Sequence, residues 1–324
     1  MSMATNTTST ADTTGTGDAT GIRRPGTADI TGTGDAGAPA NPLRIATVNV
    51  NGLRAAYKRG MAAWLAPRGV DILCLQEVRA PDSVVQEYLG DEWHVHHAEA
   101  AAKGRAGVAI ASRRGRVEPV ATRVGIGDDY FATAGRWVEA DFEITDPGGS
   151  SQKLTVASAY VHSGEAETPK QADKYRFLEL MAKRLREMRR DSDHSLVVGD
   201  LNVGHTELDI RNWKGNVKRA GFLPDERAYF DRFFGTDIGW RDVHRTLAGD
   251  VEGPYTWWSW RGKAFDNDTG WRIDYHLATP ELAAGAASAV VDRAPSWETR
   301  FSDHAPLVVD YHLAAASAAG AQTP

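Results

Sequence analysis

The sequence predicts an α/β or α+β fold built on two packed sheets and carried by one large domain. Three observations point there: several short apolar runs, a few amphipathic stretches between them, and no internal repeat or second low-complexity linker in 324 residues. The runs at 43–50, 70–78, 107–112, 154–161, 195–203 and 306–311 are rich in Val, Ile, Leu and Ala. Near-continuous hydrophobicity of this kind marks strands covered on both faces. Val138, Ala140, Phe142 and Ile144 instead alternate with Glu139, Asp141 and Glu143, the pattern of a half-exposed strand. The clearest helix begins at Thr168 and runs to about Arg190. Thr168 is placed to cap it, Pro169 suits its first turn, and Gln171 completes a capping box. Ala172, Tyr175, Leu178, Leu185 and Met188 follow as one apolar stripe at helical spacing.

The ends read differently. Residues 1–42 are almost entirely Thr, Ala, Gly, Asp and Ser, and the first aromatic of the chain is Tyr57. So little apolar surface cannot offset the entropy of ordering, so a disordered tail is expected. The domain is then expected over 43–315, with a short flexible end at 316–324. A hydrophobic share of 42 % and a charged share of 25 % suit a soluble globular protein. The single cysteine, Cys74, excludes an internal disulfide and fits a reducing, cytoplasmic location. No apolar run approaches the roughly 18 residues that span a bilayer. No basic head followed by an apolar stretch marks a secretory leader.

Polar residues cluster at the ends of the apolar runs. Asn49 and Asn51 follow the first, two residues apart, with Gly52 allowing a sharp exit; an Asx turn closing the strand is the plainer reading. Glu77 ends the second run, where a carboxylate needs a cation or a salt bridge such as one to Arg79. Asp200 and Asn202 share a face at the end of 195–203, one a potential base and the other a neutral donor. Asp303 and His304 precede the last run, and a carboxylate such as Asp274 would orient the imidazole; a strand boundary with a surface histidine is the alternative. Together these residues supply hard oxygen donors, one histidine and no thiolate, a set that suits Mg²⁺ or Mn²⁺ better than zinc. No Gly-x-Ser-x-Gly is present and Cys74 lies within an apolar run, so a serine or cysteine nucleophile is not expected.

The net charge of −6 is an unusual setting for a nucleic-acid ligand. Affinity for DNA, however, comes from local cations. Residues 210–224 hold Arg211, Lys214, Lys218 and Arg219 and no acid, interleaved with Trp213 and Phe222. A solvated face is the alternative reading of that run. Arg54 is a second candidate phosphate contact. Of the ten tryptophans, Trp257, Trp258, Trp260 and Trp271 cluster.

Six islands occur in order: TVNVNGLRA (47–55), LQEVR (75–79), AYVHSGE (159–165), GDLNVGHTELDIRNWKGN (199–216), FDNDTGWRIDY (265–275) and SDHAPL (302–307). With them, the span from Leu43 to Tyr311 resembles the endonuclease/exonuclease/phosphatase superfamily, specifically the exonuclease III-type abasic-site endonucleases. The resemblance implies a four-layer α-β-β-α sandwich of two packed mixed sheets flanked by helices. It also implies Mg²⁺-dependent cleavage 5′ to abasic sites in double-stranded DNA, with 3′-5′ exonuclease or 3′-end-cleaning activity, by a monomer. Glu77 becomes the principal metal ligand, with Asn49, Asn51 and Asp303 nearby; Asp200 and Asn202 are catalytic or ligands of a second ion. His304 oriented by Asp274 would stabilise the transition state, and Tyr160 would contact a phosphate oxygen. Trp257 and Trp271, with Asn216, would wall a pocket for the baseless sugar. Val161-His162-Ser163 departs from the family, which more often has Pro then Asn or Gln after this aliphatic residue. Two other readings are a superfamily phosphatase acting on small or lipid phosphates and a non-catalytic module that binds damaged DNA.

Overall fold

The structure, a computed structural model, describes residues 42–145 and 148–313. The expected tail, Pro42 apart, and the expected C-terminal end lie outside the described residues. Among the described residues, twelve strands form two six-stranded sheets. The first contains β1 (Leu43–Asn49), β2 (Ile72–Gln76), β3 (Trp93–Ala98), β4 (Val108–Arg113), β11 (Ala286–Val291) and β12 (Leu307–Tyr311), in the order β11-β12-β1-β2-β4-β3. The second contains β5 (Pro119–Val124), β6 (Trp137–Thr145), β7 (Ser151–Tyr160), β8 (His194–Asp200), β9 (Arg241–Asp242) and β10 (Asp274–Ala278), in the order β5-β6-β7-β8-β10-β9. Each sheet has one parallel pair, β1 with β2 and β7 with β8, among antiparallel neighbours.

The six continuously apolar runs are six of these strands, and their continuity has a simple cause. In β8, Leu196 and Val198 join the core between the sheets, while Val197 faces the helical layer outside. Ile45 of β1 and Cys74 of β2 likewise join the inter-sheet core, and Ala46 and Leu73 face the other way. The helices α1 (Leu53–Lys58), α2 (Met61–Leu65) and α3 (Asp82–Leu89) cover the first sheet. The helices α4 (Pro169–Asp191) and α5 (Pro224–Phe234) cover the second, while α6 (Val243–Ala248) and α7 (Pro280–Ala284) send Val243 and Leu282 into the inter-sheet core. Four layers result, as expected. Phe177, fully buried under α4, would cost about 3–5 kcal/mol if cut to alanine.

Two local expectations are corrected. Strand β6 is exposed only at its end, at Glu143 and Thr145; Glu139 and Asp141 are buried on the face away from the inter-sheet core. Arg184 of α4 donates twice to Glu139 at 2.7 Å, and Arg123 donates twice to Asp141 at 2.8 Å. Pairing with arginine removes the desolvation penalty that period-two alternation had assigned to solvent. The helix over 169–191 lies where expected, yet no capping box forms. Thr168 donates its hydroxyl to the Glu165 carbonyl three residues back and Gln171 donates to Glu226 of α5, so a competing local turn and a tertiary partner take the groups of the cap. Leu178, Leu185 and Met188 are buried, Tyr175 is half-buried, and Ala172 is exposed; Lys174 occupies the buried face instead.

Candidate active site

All the polar motifs meet at one end of the sandwich, and strand direction explains why. The parallel pairs β1–β2 and β7–β8 end there, at Asn49, Gln76, Tyr160 and Asp200. The antiparallel strand β10 begins there, with Asp274 opposite Asp200, and so does β12, just after His304. Carboxyl ends of strands from both sheets therefore face one cleft of about 360 Å³, lined by Glu77, Tyr160, Asp200, Asn202, Trp257, Trp271, Asp303 and His304, among others.

Asn49 ties the sheets together. Its amide nitrogen donates to Glu77 Oε1 at 3.1 Å and to Asp200 Oδ2 at 2.9 Å. Its own oxygen accepts from the backbone of Asn51 at 3.0 Å, so the plainer Asx turn is present and serves the site. Asn51 then donates to Asp303 at 2.8 Å. An equivalent turn follows β8, where the Asn202 backbone donates to Asp200 at 3.0 Å and its side chain to Asp200 at 3.2 Å and the Val161 carbonyl at 3.0 Å. Asn51, Glu77 and Asn202 all have positive φ, at 47°, 49° and 51°. Left-handed backbone at three non-glycine residues is strain that only surrounding contacts sustain.

Glu77 accepts from the Tyr160 hydroxyl at 2.5 Å and is also paired with Arg79. The expected salt bridge and the expected functional carboxylate are thus one group. Arg136 lies over the Tyr160 ring at 4.6 Å and donates to the Tyr160 carbonyl. Burial, with Glu77 and Asp200 adding to it, holds the Tyr160 phenol well above its ordinary range, so it is a proton donor. His304 is buried, not on the surface, and its Nδ1 lies 2.8 Å from Asp274 Oδ2 and its Nε2 3.7 Å from Asp200. Burial alone would lower the imidazole, but Asp274, Asp200 and Asp303 outweigh it and raise it to about 10. Burial raises Asp200 to about 7, helped by Asp274 and Glu77 and opposed by His304 and Asn49.

Trp257 donates its indole N–H to Asp303 at 3.1 Å and meets Trp271 edge-on, with ring centroids 6.0 Å apart. Gly221 backs the second ring: a Cβ there would lie 2.9 Å from Trp271. Trp258 is buried, and the guanidinium groups of Arg59 and Arg300 lie over the Trp260 ring. Among the expected DNA contacts, Asn216 does not line the cleft; its amide donates to the Asn212 carbonyl at 2.8 Å because the loop turns back on itself. Arg211 is paired with Glu252, a long-range partner that the local run does not reveal. Lys214 lies over Trp213, whereas Phe222 is core. Arg54 borders a separate cavity with Arg79, Lys103 and Arg105. His162 of the departing segment packs on Phe131 and Phe177, and burial lowers it to about 3.

Three carboxylates, from Glu77, Asp200 and Asp303, border the cleft, and Asp200, Asp274 and His304 bring ligand atoms within 4.8 Å of one another. Excess anionic charge is part of what raises Asp200, and a set of carboxylate oxygens with one imidazole and no thiolate answers to a hard divalent cation. The model of the Endonuclease/Exonuclease/phosphatase family matches residues 46–304. This chain belongs to that family. Its relatives include the exodeoxyribonuclease of Bacillus subtilis, 31 % identical over 82 % of this chain and 98 % of that protein. Exodeoxyribonuclease III of Haemophilus influenzae is 30 % identical over 83 % of this chain and all of that protein. An AP endonuclease structure from Archaeoglobus fulgidus superposes with a TM-score of 0.69 at 27 % identity, covering 84 % of this chain and 100 % of the other. Within the family the chain is of the exonuclease III type, and the family depends on a divalent metal. Among the described residues, no helix is long and apolar enough to cross a membrane.

The sequence-expected residues Asn49, Asn51, Glu77, Tyr160, Asp200, Asn202, Trp257, Trp271, Asp274, Asp303 and His304 come together. Arg136, Lys174 and Glu226 were missed. Only Lys174 left a signal, as a charge in phase with the buried face of α4.

Proposed function

We propose that this chain is a Mg²⁺-dependent DNA-repair phosphodiesterase. It nicks double-stranded DNA 5′ to abasic sites and trims or cleans damaged 3′ ends, with Mn²⁺ as a substitute ion. The observation that carries this reading is the pairing of a carboxylate–imidazole cluster with an indole-walled cleft at the same strand ends. Glu77 and Asp303 would hold the ion, with Asn49 and Asn51 beside them donating their amide N–H groups to those carboxylates, and Asp200 with Asn202 would hold a second if two bind. When bound, the ion supplies Lewis-acid polarisation of the phosphate and favours formation of hydroxide.

The chain's own groups then have distinct roles. Asp200, fixed by Asn49 and Asn202, takes the proton of the attacking water, and its value of about 7 suits a base near neutral pH. As the new P–O bond forms and the bond to the 3′ oxygen breaks, charge grows on the non-bridging oxygens, and the departing 3′ oxygen takes a proton from water to leave as a hydroxyl. The His304 imidazolium, kept charged by Asp274, and the Tyr160 hydroxyl donate to that charge. Trp257 and Trp271 accept a flipped sugar without its base, and a sugar still carrying a base is excluded by size.

The test is a labelled duplex bearing one abasic analogue, incubated with Mg²⁺, with Mn²⁺ and with excess EDTA. A metal-dependent nick 5′ to the lesion is expected. Retention without cleavage would indicate a binding module, and inertness toward DNA with release of phosphate from small esters would indicate a phosphatase.

A further inference from the structure

Lys174 sits in the second turn of α4 with no exposed surface, a costly place for an ammonium group unless every proton has a partner. Each of its three protons has one. Its Nζ lies 2.7 Å from Glu226 Oε1 and donates to the Asn202 carbonyl at 2.8 Å and the Ser163 carbonyl at 3.2 Å. Glu226 of α5, equally buried, has its lone pairs occupied as well. Its Oε1 also accepts from Gln171 at 2.8 Å, while its Oε2 accepts from the backbone of Gly221 at 2.7 Å and Leu223 at 2.9 Å.

The four backbone points held by this pair are not scattered. Ser163, Asn202 and Gly221 all line the cleft, and Leu223 anchors the segment that carries Gly221. Asn202 is the residue whose left-handed backbone returns its amides to Asp200, and Gly221 is the floor against which Trp271 packs. We propose that the buried Lys174–Glu226 pair is the positioning device of the cleft, setting the Asp200–Asn202 turn and the Trp271 wall by holding their backbones from beneath. It rests on the phosphodiesterase reading for its kinetic consequence, though not for its structural one.

The experiment compares wild type with the double variant Lys174→Met/Glu226→Gln and the single variant Lys174→Gln. Each is assayed on the abasic-analogue duplex with Mg²⁺ under single-turnover conditions, over a range of enzyme excess. Exchanging a buried pair for neutral groups can leave a fold standing. Misplacing reacting groups by an ångström costs about 100-fold in rate. The plateau rate constant of the double variant is therefore expected to fall at least about tenfold, with half-saturating enzyme within about twofold of wild type. Lys174→Gln keeps two donors but leaves the Glu226 carboxylate buried without its cation, so its plateau should fall at least as far as that of the double variant. A merely structural role predicts the reverse: fewer folded molecules raise the half-saturating concentration and leave the plateau intact, and that result overturns the proposal. If the double variant does not fold, Lys174→Gln decides by the same criterion. Amide hydrogen exchange supplies a readout independent of activity. Loss of protection at Gly221, and at Gly204, whose amide donates to the Gly221 carbonyl at 2.8 Å, is expected with β8 unchanged, and unchanged protection at both refutes the proposal even should the wild type fail to nick DNA.

Discussion

The Tyr160 hydroxyl donates to Glu77 Oε1 at 2.5 Å, joining the last residue of a strand in one sheet to the residue that follows a strand in the other. The bond spans 83 positions of sequence and sits over the seam between the sheets. It places against each other a phenol and a carboxylate whose proposed tasks are opposed, one to donate to substrate and the other to hold a cation.

Glu77→Ala is accordingly expected to remove most metal-dependent turnover, by about two to three orders of magnitude, because it deletes the proposed main ligand and frees Tyr160 and Asn49 together. The measurement is the nicking rate across a Mg²⁺ titration. Recovery of full rate at high Mg²⁺ would show weakened ion affinity alone, and full rate at low Mg²⁺ would remove Glu77 from the ligand set.

Asp274→Asn preserves shape but withdraws the charge that keeps His304 protonated. The turnover number should fall by roughly 100-fold with little change in KM, since the affected hydrogen bond strengthens only in the transition state. A wild-type turnover number in the variant would make the Asp274 carboxylate dispensable.

Trp271→Ala opens the side of the cleft that Gly221 backs. Cleavage at an abasic analogue should fall about tenfold or more, while removal of a 3′-terminal group that needs no flipping should change far less. Equal losses on both substrates would count against a pocket for the sugar.

Buried histidines give the fold an acid limit. His244 and His276 are each lowered to about 3, mainly by burial, from an unfolded value of 6.5. Below pH 6.5 the unfolded chain takes up protons that the folded chain refuses. The stability these residues contribute is therefore complete above that pH and falls as pH drops toward 3, by up to about 1.4 kcal/mol per pH unit for each. Denaturant unfolding of wild type and His276→Asn between pH 7 and 5 checks this: the variant should show the shallower loss. Parallel curves would mean that His276 is not held neutral.

Much of this protein was legible from its residues one segment at a time. Continuous apolar runs marked the doubly covered strands, because both faces of each run had to be buried somewhere. Polar residues at their ends marked the site, because carboxylates and amides beside buried strands need partners. Which partners they have was decided by the folded chain alone. Glu139 and Asp141 looked solvated until Arg184 and Arg123 arrived from elsewhere in the sequence, and Arg211 looked available until Glu252 reached it. Thr168 and Gln171 matched a local cap, yet Glu165 and Glu226 took their hydrogen bonds. Pattern along a chain reports period and polarity, which are local. Pairing of charges depends on distances between segments tens to hundreds of residues apart, and those distances exist only once the two sheets are packed.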